Sequence, residues 1–166
     1  MKTLYLIRHA KSSWKDLNAP DHKRTLNKRG KRDAPFMGEL LHKKGVQPDV
    51  IVSSYAVRAL TTAKIIAKTI GYAENDIDVR KEVYLASFST LMNIVRGLND
   101  DANTAFLFGH NPDFTTFANT FSDEFIANVP TCGIVEIQFD VEQWSDINSD
   151  NGQVASFEFP KKYFKS

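Results

Sequence analysis

The pair Arg8-His9 stands directly after the apolar run Leu4-Tyr5-Leu6-Ile7. A guanidinium grips phosphoryl oxygens through a fork of donors, and a neutral imidazole nitrogen can attack phosphorus. Alone, such a dipeptide could equally be a solvated turn, so partners elsewhere decide its meaning. Two are present. Arg58 lies shortly after a second apolar run, and His110 follows a third, Thr104 to Phe108, through Gly109. Two arginines and two histidines with no carboxylate among them would form an anion site able to neutralise a phosphoryl group, including the charge of its transition state.

Bringing the four together requires parallel strands that end on one edge of a sheet, where ligands of α/β proteins bind. The chain alternates apolar runs with helical periods, which predicts an α/β fold of three layers, α/β/α, around a central, mostly parallel sheet. Strand one is expected over Thr3 to Ile7, followed by a polar loop from His9 to Thr25. A helix from about Asn27 to Lys44 should stop at Gly45 and be kinked or split by Pro35. Asp49 to Val52 reads as a buried strand and Ala56 to Ile70 as a helix, with Ala59, Leu60, Ala63, Ile66, Ala67 and Ile70 on its inner face. Asp76 to Arg80 fits a short edge strand, and Ser89 to Leu98 a helix. After the Thr104 to Phe108 strand, Asn111 is a good N-cap and Pro112 a good first residue for a helix carrying Phe114, Phe117, Ala118 and Phe121. Gly133 to Asp140 and Gln153 to Phe159 alternate as strands with one wet face. The acidic stretch Val141 to Gly152 reads as a loop with little structure of its own.

Composition narrows the class. The chain has 166 residues, 42% hydrophobic and 25% charged, the balance of one folded domain spanning 1–166 and not of a disordered chain. Cys132 is the lone cysteine, which excludes an internal disulfide and any cysteine metal cluster and suits a reducing compartment. No apolar run approaches a membrane span, and Met1 leads straight into the first strand without room for a signal peptide, so the expected location is cytoplasmic. Charge is uneven: residues 1–32 hold ten Lys or Arg and two Asp. Without interleaved aromatics this basic region gives little support to nucleic acid and fits a phosphorylated ligand or an acidic partner better.

Three segments, Leu6-Ile7-Arg8-His9-Ala10, Ser53-Ser54-Tyr55-Ala56-Val57-Arg58-Ala59 with Thr62-Ala63, and Gly109-His110-Asn111-Pro112, resemble in order the signature of the histidine phosphatase superfamily. The wording Arg8 to Trp14, the run Asp21 to Leu26 ahead of Gly30, and the absence of a segment long enough to cover the site look like the SixA-type phosphohistidine phosphatases. The resemblance implies a phosphoglycerate mutase-like fold and a metal-independent phosphatase without cofactors. It implies His9 as nucleophile, Arg8 and Arg58 as phosphate clamps, and His110 as the remaining phosphate ligand. Ser12 falls where many relatives have a hydroxyl, and Lys15 where mutase-like members usually have Asn, so both are candidate substrate contacts. Glu82 lies in about the region of the leaving-group acid of other members, though its context differs from their motif. The implied substrate is a phosphohistidine on a partner protein, with a small phosphate ester as the alternative and a non-catalytic phosphate-binding module as a third reading. His22 and His42 read as solvated histidines, and Cys132 as a packed small residue.

Overall fold

In the computed structural model, which describes residues 1–164, the apolar run that ends in Arg8 forms β1 (Lys2–Arg8), the third apolar run forms β4 (Thr104–Gly109), and the two lie side by side in parallel. β4 also pairs in parallel with β2 (Val50–Ser54), which pairs in parallel with the short β3 (Asp78–Arg80). On the other side, β5 (Ile134–Phe139) runs antiparallel to β1, and β6 (Gly152–Glu158) antiparallel to β5. The six-stranded order is therefore β3-β2-β4-β1-β5-β6, with β5 the one strand reversed. β1, β2 and β4 are buried almost throughout because helices cover both faces of the sheet centre.

Alternation along each strand assigns the faces. Tyr5, Ile7, Ile51, Phe106 and Phe108 point to one side, against α1 (Lys28–Lys43) and α2 (Val57–Ile70). Leu4, Leu6, Val52, Ala105 and Leu107 point to the other, against α3 (Phe88–Arg96) and α4 (Asp113–Thr120). Asn27 caps α1 by accepting the Gly30 N–H at 2.9 Å, and Gly45 and Gly71 take the left-handed conformation after α1 and α2.

Three expectations are corrected. Pro35 does not split α1, which runs unbroken from Lys28 to Lys43. The helix after His110 begins at Asp113, one residue past Pro112, and the Asn111-Pro112 peptide is cis. The segment between β5 and β6 is also more ordered than its acidity suggests: Trp144 and Ile147 are fully buried, with a 3-10 turn over Trp144–Asp146. Trp144 Nε1 donates to the Ala102 carbonyl at 2.8 Å, so a large aromatic with a satisfied polar edge anchors the loop.

Candidate functional site

Parallel pairing sets the site. Arg8 is in register with Gly109, so the next residues, His9 and His110, leave the sheet at the same level. Their rings lie 5.2 Å apart, centroid to centroid. Arg58 enters from the first turn of α2, where the chain turns over the end of β2. His9, Arg58 and His110 are each 6% exposed, an unusual depth for such residues and one that requires polar partners.

Those partners fix each group. His9 Nδ1 lies 2.8 Å from the Ala10 carbonyl oxygen, which can only accept, so Nδ1 carries the proton and Nε2 keeps its lone pair. The loop itself is pinned: the Ala10 N–H donates to Thr62 Oγ1 at 3.0 Å, and that hydroxyl donates to the Arg58 carbonyl at 2.7 Å. Arg8 Nη1 donates to the Val129 carbonyl at 3.0 Å, an oxygen that also accepts from Asn111 Nδ2. Asn111 Oδ1 meanwhile accepts the Thr115 N–H at 3.1 Å, so this side chain serves the start of α4 as an N-cap would. His110 Nε2 sits 2.8 Å from Ser54 Oγ. Buried and without partners are Arg8 Nε, Arg58 Nε and His110 Nδ1. Two orphaned guanidinium donors and an orphaned ring nitrogen within one cluster are what a missing oxyanion would satisfy.

Beside the four residues, which have no carboxylate among them, the structure adds one from outside the set. Asp21, from a 3-10 turn over Asp21–Lys23, accepts Arg58 Nη2 at Oδ2 (2.9 Å) and Arg24 Nε at Oδ1 (3.1 Å), while its backbone carbonyl accepts Arg58 Nη1 at 2.7 Å. Tyr84 donates its hydroxyl to the same carboxylate and packs edge-on to His110, with ring centroids 5.4 Å apart. His22, expected to be merely solvated, stacks on Tyr55 at 5.4 Å.

Protonation follows from these surroundings. Burial above all, against the hydrogen bond to Ala10, and then the charges of His110, Arg58 and Arg8, press His9 down to about 3. Burial, then Arg58, press His110 to about 3 as well, with Asp21 pulling the other way. Both rings are neutral at neutral pH. Burial would raise the Asp21 carboxyl, but hydrogen bonds from Tyr84 and Arg58, the charge of Arg58 and a bond from Arg24 outweigh it and hold the group well below the usual carboxylate range. Burial and Asp21 together raise the Tyr84 hydroxyl. Burial pushes the Cys132 thiol strongly up, as expected of a packed small residue.

The other candidates have different neighbours. Ser12 is buried, and its Oγ accepts Arg24 Nη1 at 2.6 Å. Lys15 is exposed on the loop after the motif and lines a basic cavity. Glu82 is 53% exposed, with Arg80 as its charged neighbour at 4.0 Å. Asp21, Tyr84, Ser54 and the Val129 carbonyl were not singled out by sequence. Among the described residues no group of three or more His, Cys, Asp or Glu is placed to hold a metal ion, and no helix is long and apolar enough to cross a membrane.

The chain is similar to known proteins along most of its length. A family model described as histidine phosphatase superfamily (branch 1) matches residues 4–87. A chloroplastic protein of Arabidopsis thaliana is 31% identical over 153 residues, covering 87% of this chain and 70% of that protein. A crystal structure from Agrobacterium tumefaciens, described as a candidate phosphohistidine phosphatase SixA, superposes with a TM-score of 0.81 at 25% identity, covering 96% of this chain and 98% of the other. A protein histidine phosphatase SixA complexed with tungstate superposes with a TM-score of 0.82 at 17% identity over 96% of this chain and 98% of that one, a likeness of fold.

Proposed function

We propose that this chain, which belongs to the histidine phosphatase superfamily, hydrolyses the phosphorus–nitrogen bond of phosphohistidine on a partner protein, as a single domain that needs no metal and with His9 as its nucleophile. Family membership supports a phosphatase. The observation that carries the finer reading is the protonation pattern: a neutral His9 with Nε2 unprotonated, and beside Arg58 an Asp21 carboxylate held ionised, with no proton to give a leaving group.

An ester needs its leaving oxygen protonated, whereas the leaving nitrogen of phosphohistidine can depart as neutral imidazole if its ring arrives protonated at the other nitrogen. In this mechanism Arg8 and Arg58 hold the non-bridging oxygens and His9 Nε2 attacks phosphorus. The bond to the substrate nitrogen breaks, and its electron pair stays on the departing ring. The phosphorylated His9 keeps its Nδ1 proton on Ala10, so water can displace the same neutral imidazole and leave phosphate. His110 is the further oxyanion ligand, donating from Nδ1 once the dianion draws a proton onto the ring. The single buried cysteine suits a reducing compartment, and we place the enzyme in the cytoplasm.

The test uses a protein substrate carrying labelled phosphohistidine, quenched in alkali. Alkali-stable, acid-labile label on the enzyme that vanishes in His9→Ala is the expected result. Label retained in that variant, a higher kcat/KM on sugar phosphates than on phosphohistidine, or loss of turnover in chelator that Mg²⁺ restores would each overturn the corresponding part of the reading.

A further inference from the structure

Beside the site lies an open cavity of about 620 Å³, between the loop after the Arg-His motif and the start of α1. Its charged lining is Lys15, Lys23, Arg24, Lys28, Arg29 and Lys31 against the single carboxylate of Asp16. Arg29 and Arg32 share Asp33. Among the described residues, no carboxylate pairs with Lys15, Lys23, Lys28 or Lys31.

This placement opposes what folding alone would favour. α1 opens Lys28-Arg29-Gly30-Lys31-Arg32 with no acid in its first turn, so four cations crowd the positive end of the helix dipole. Asp33 offsets Arg29 and Arg32, but Lys28 and Lys31 break the local rule with no carboxylate paired to them, which points to a use outside the fold. The cavity is also joined to the chemistry. Arg24, which lines it, bonds Ser12 and Asp21, and Asp21 bonds Arg58. Two exposed apolar side chains stand on the same loop: Trp14, 65% exposed with the Arg24 guanidinium 3.6 Å over its ring, and Leu17, 86% exposed. Exposed apolar anchors beside unpaired cations have the make-up of a protein-binding surface, while a lone exposed aromatic gives no stacking platform for nucleic acid bases.

We propose that this cavity docks an acidic segment of the partner protein next to its phosphohistidine, an assignment that rests on the function proposed above. Unpaired lysines around an open cavity steer and hold carboxylates, so the contribution is to substrate capture and not to the chemical step.

The test compares the wild-type chain with the triple variant Lys23→Glu/Lys28→Glu/Lys31→Glu. Three substrates are used: a phosphohistidine peptide flanked by Glu and Asp, the same peptide with neutral flanks, and p-nitrophenyl phosphate. On the acidic peptide KM should rise about tenfold or more in the variant with kcat held, while p-nitrophenyl phosphate and the neutral peptide change little. Equal wild-type KM for the two peptides, or equal losses on all three substrates, overturns the assignment. Binding of the unphosphorylated acidic peptide, followed by fluorescence titration, separates the two readings. If neither phosphohistidine peptide is turned over yet the acidic peptide binds wild type and not the variant, the proposed substrate falls and the docking surface stands. Binding of pyrophosphate without any preference for the acidic over the neutral peptide assigns the cavity to small anions and overturns the proposal.

Discussion

The two buried histidines should make this protein acid-labile in a defined pH window. His9 and His110, ordinarily near 6.5, are both pressed to about 3 in the fold. Between those values the unfolded chain binds protons that the folded chain refuses, so stability falls as pH falls. Going from pH 7.5 to 5.0, each histidine costs about 2 kcal/mol, about 4 for the pair, as an upper figure given their mutual coupling. For a domain of this length that corresponds to a drop of roughly 10 °C in Tm. Asp21 does not share the window: its depressed carboxyl keeps its contribution down to the ordinary carboxylate range and loses it only below.

The assay is thermal unfolding by circular dichroism across pH 7.5 to 5.0 at constant ionic strength, in wild type and in His9→Gln/His110→Gln. The double variant starts from its own stability at pH 7.5, so the comparison is between slopes. Wild type should lose the roughly 10 °C in excess of the variant. Parallel curves would refute the claim that these imidazoles are held neutral by burial. A second arm uses sulfate, which stays a dianion throughout the range. Its affinity should rise as pH falls, because the bound charge repays protonation of His110. A flat sulfate profile would remove His110 from the oxyanion site.

Four substitutions test the rest. Arg58→Lys keeps a charge near Asp21 but loses the fork, so kcat/KM should fall about 100-fold with little change in Tm, and near-normal turnover would count against a bidentate clamp. Asp21→Asn removes the negative charge that competes for Arg58, so sulfate measured by calorimetry at low salt should bind up to about tenfold tighter; weaker binding would mean that Asp21 chiefly positions the arginine. Glu82→Gln should leave kcat/KM on phosphohistidine within about twofold, since the exposed carboxylate is screened and its charged neighbour is Arg80. In Gly30→Ala the added Cβ would lie 2.2 Å from the Lys11 carbonyl oxygen, so denaturant unfolding should show a loss of about 2 kcal/mol or more, despite the better helix propensity of alanine.

The exits of β1 and β4 were legible because each is a local pattern: an apolar run of strand length and then, at once or after one glycine, an arginine or histidine. Arg58 follows the β2 run only after a turn, in the first turn of α2. Asp21 was not legible, because its role depends on where a polar loop returns after leaving β1, and loop placement carries no periodic signal. The available clue was its spacing of three from Arg24, which permits the ion pair now seen at 3.1 Å. Ser54 stands in one of the three matched segments, but nothing in its type or spacing announces its place in the structure, where it ends β2 and holds His110. The Val129 carbonyl could not be read at all, since a backbone oxygen has no residue type. Between β5 and β6 the acidic composition hid Trp144 and Ile147, spaced three apart so that one short turn buries both. Pro35 misled for a physical reason: it removes one backbone donor, and burial of Ala34, Met37, Gly38 and Leu41 against the rest of the core holds the helix together regardless.

What binds these pieces into one site is register. Arg8 pairs with Gly109, and Ser53 pairs with Phe108, so Arg8, Gly109 and Ser54 stand on one line across β1, β4 and β2. The next residues of β1 and β4 are the two histidines, and Ser54 is level enough for its hydroxyl to reach His110 at 2.8 Å. A slip of one residue in either pairing would turn the flanking side chains to the opposite faces and exchange the two halves of the core. The apolar alternation that keeps Ile7 and Phe108 on the α1/α2 side and Leu6 and Leu107 on the α3/α4 side therefore also fixes the 5.2 Å between the imidazoles. Core packing and site geometry are set here by the same residues, and the loop after β1 is braced in addition by the Thr62 hydroxyl, the Ala10 carbonyl and the Cys132 N–H, which donates to the His9 carbonyl at 2.9 Å.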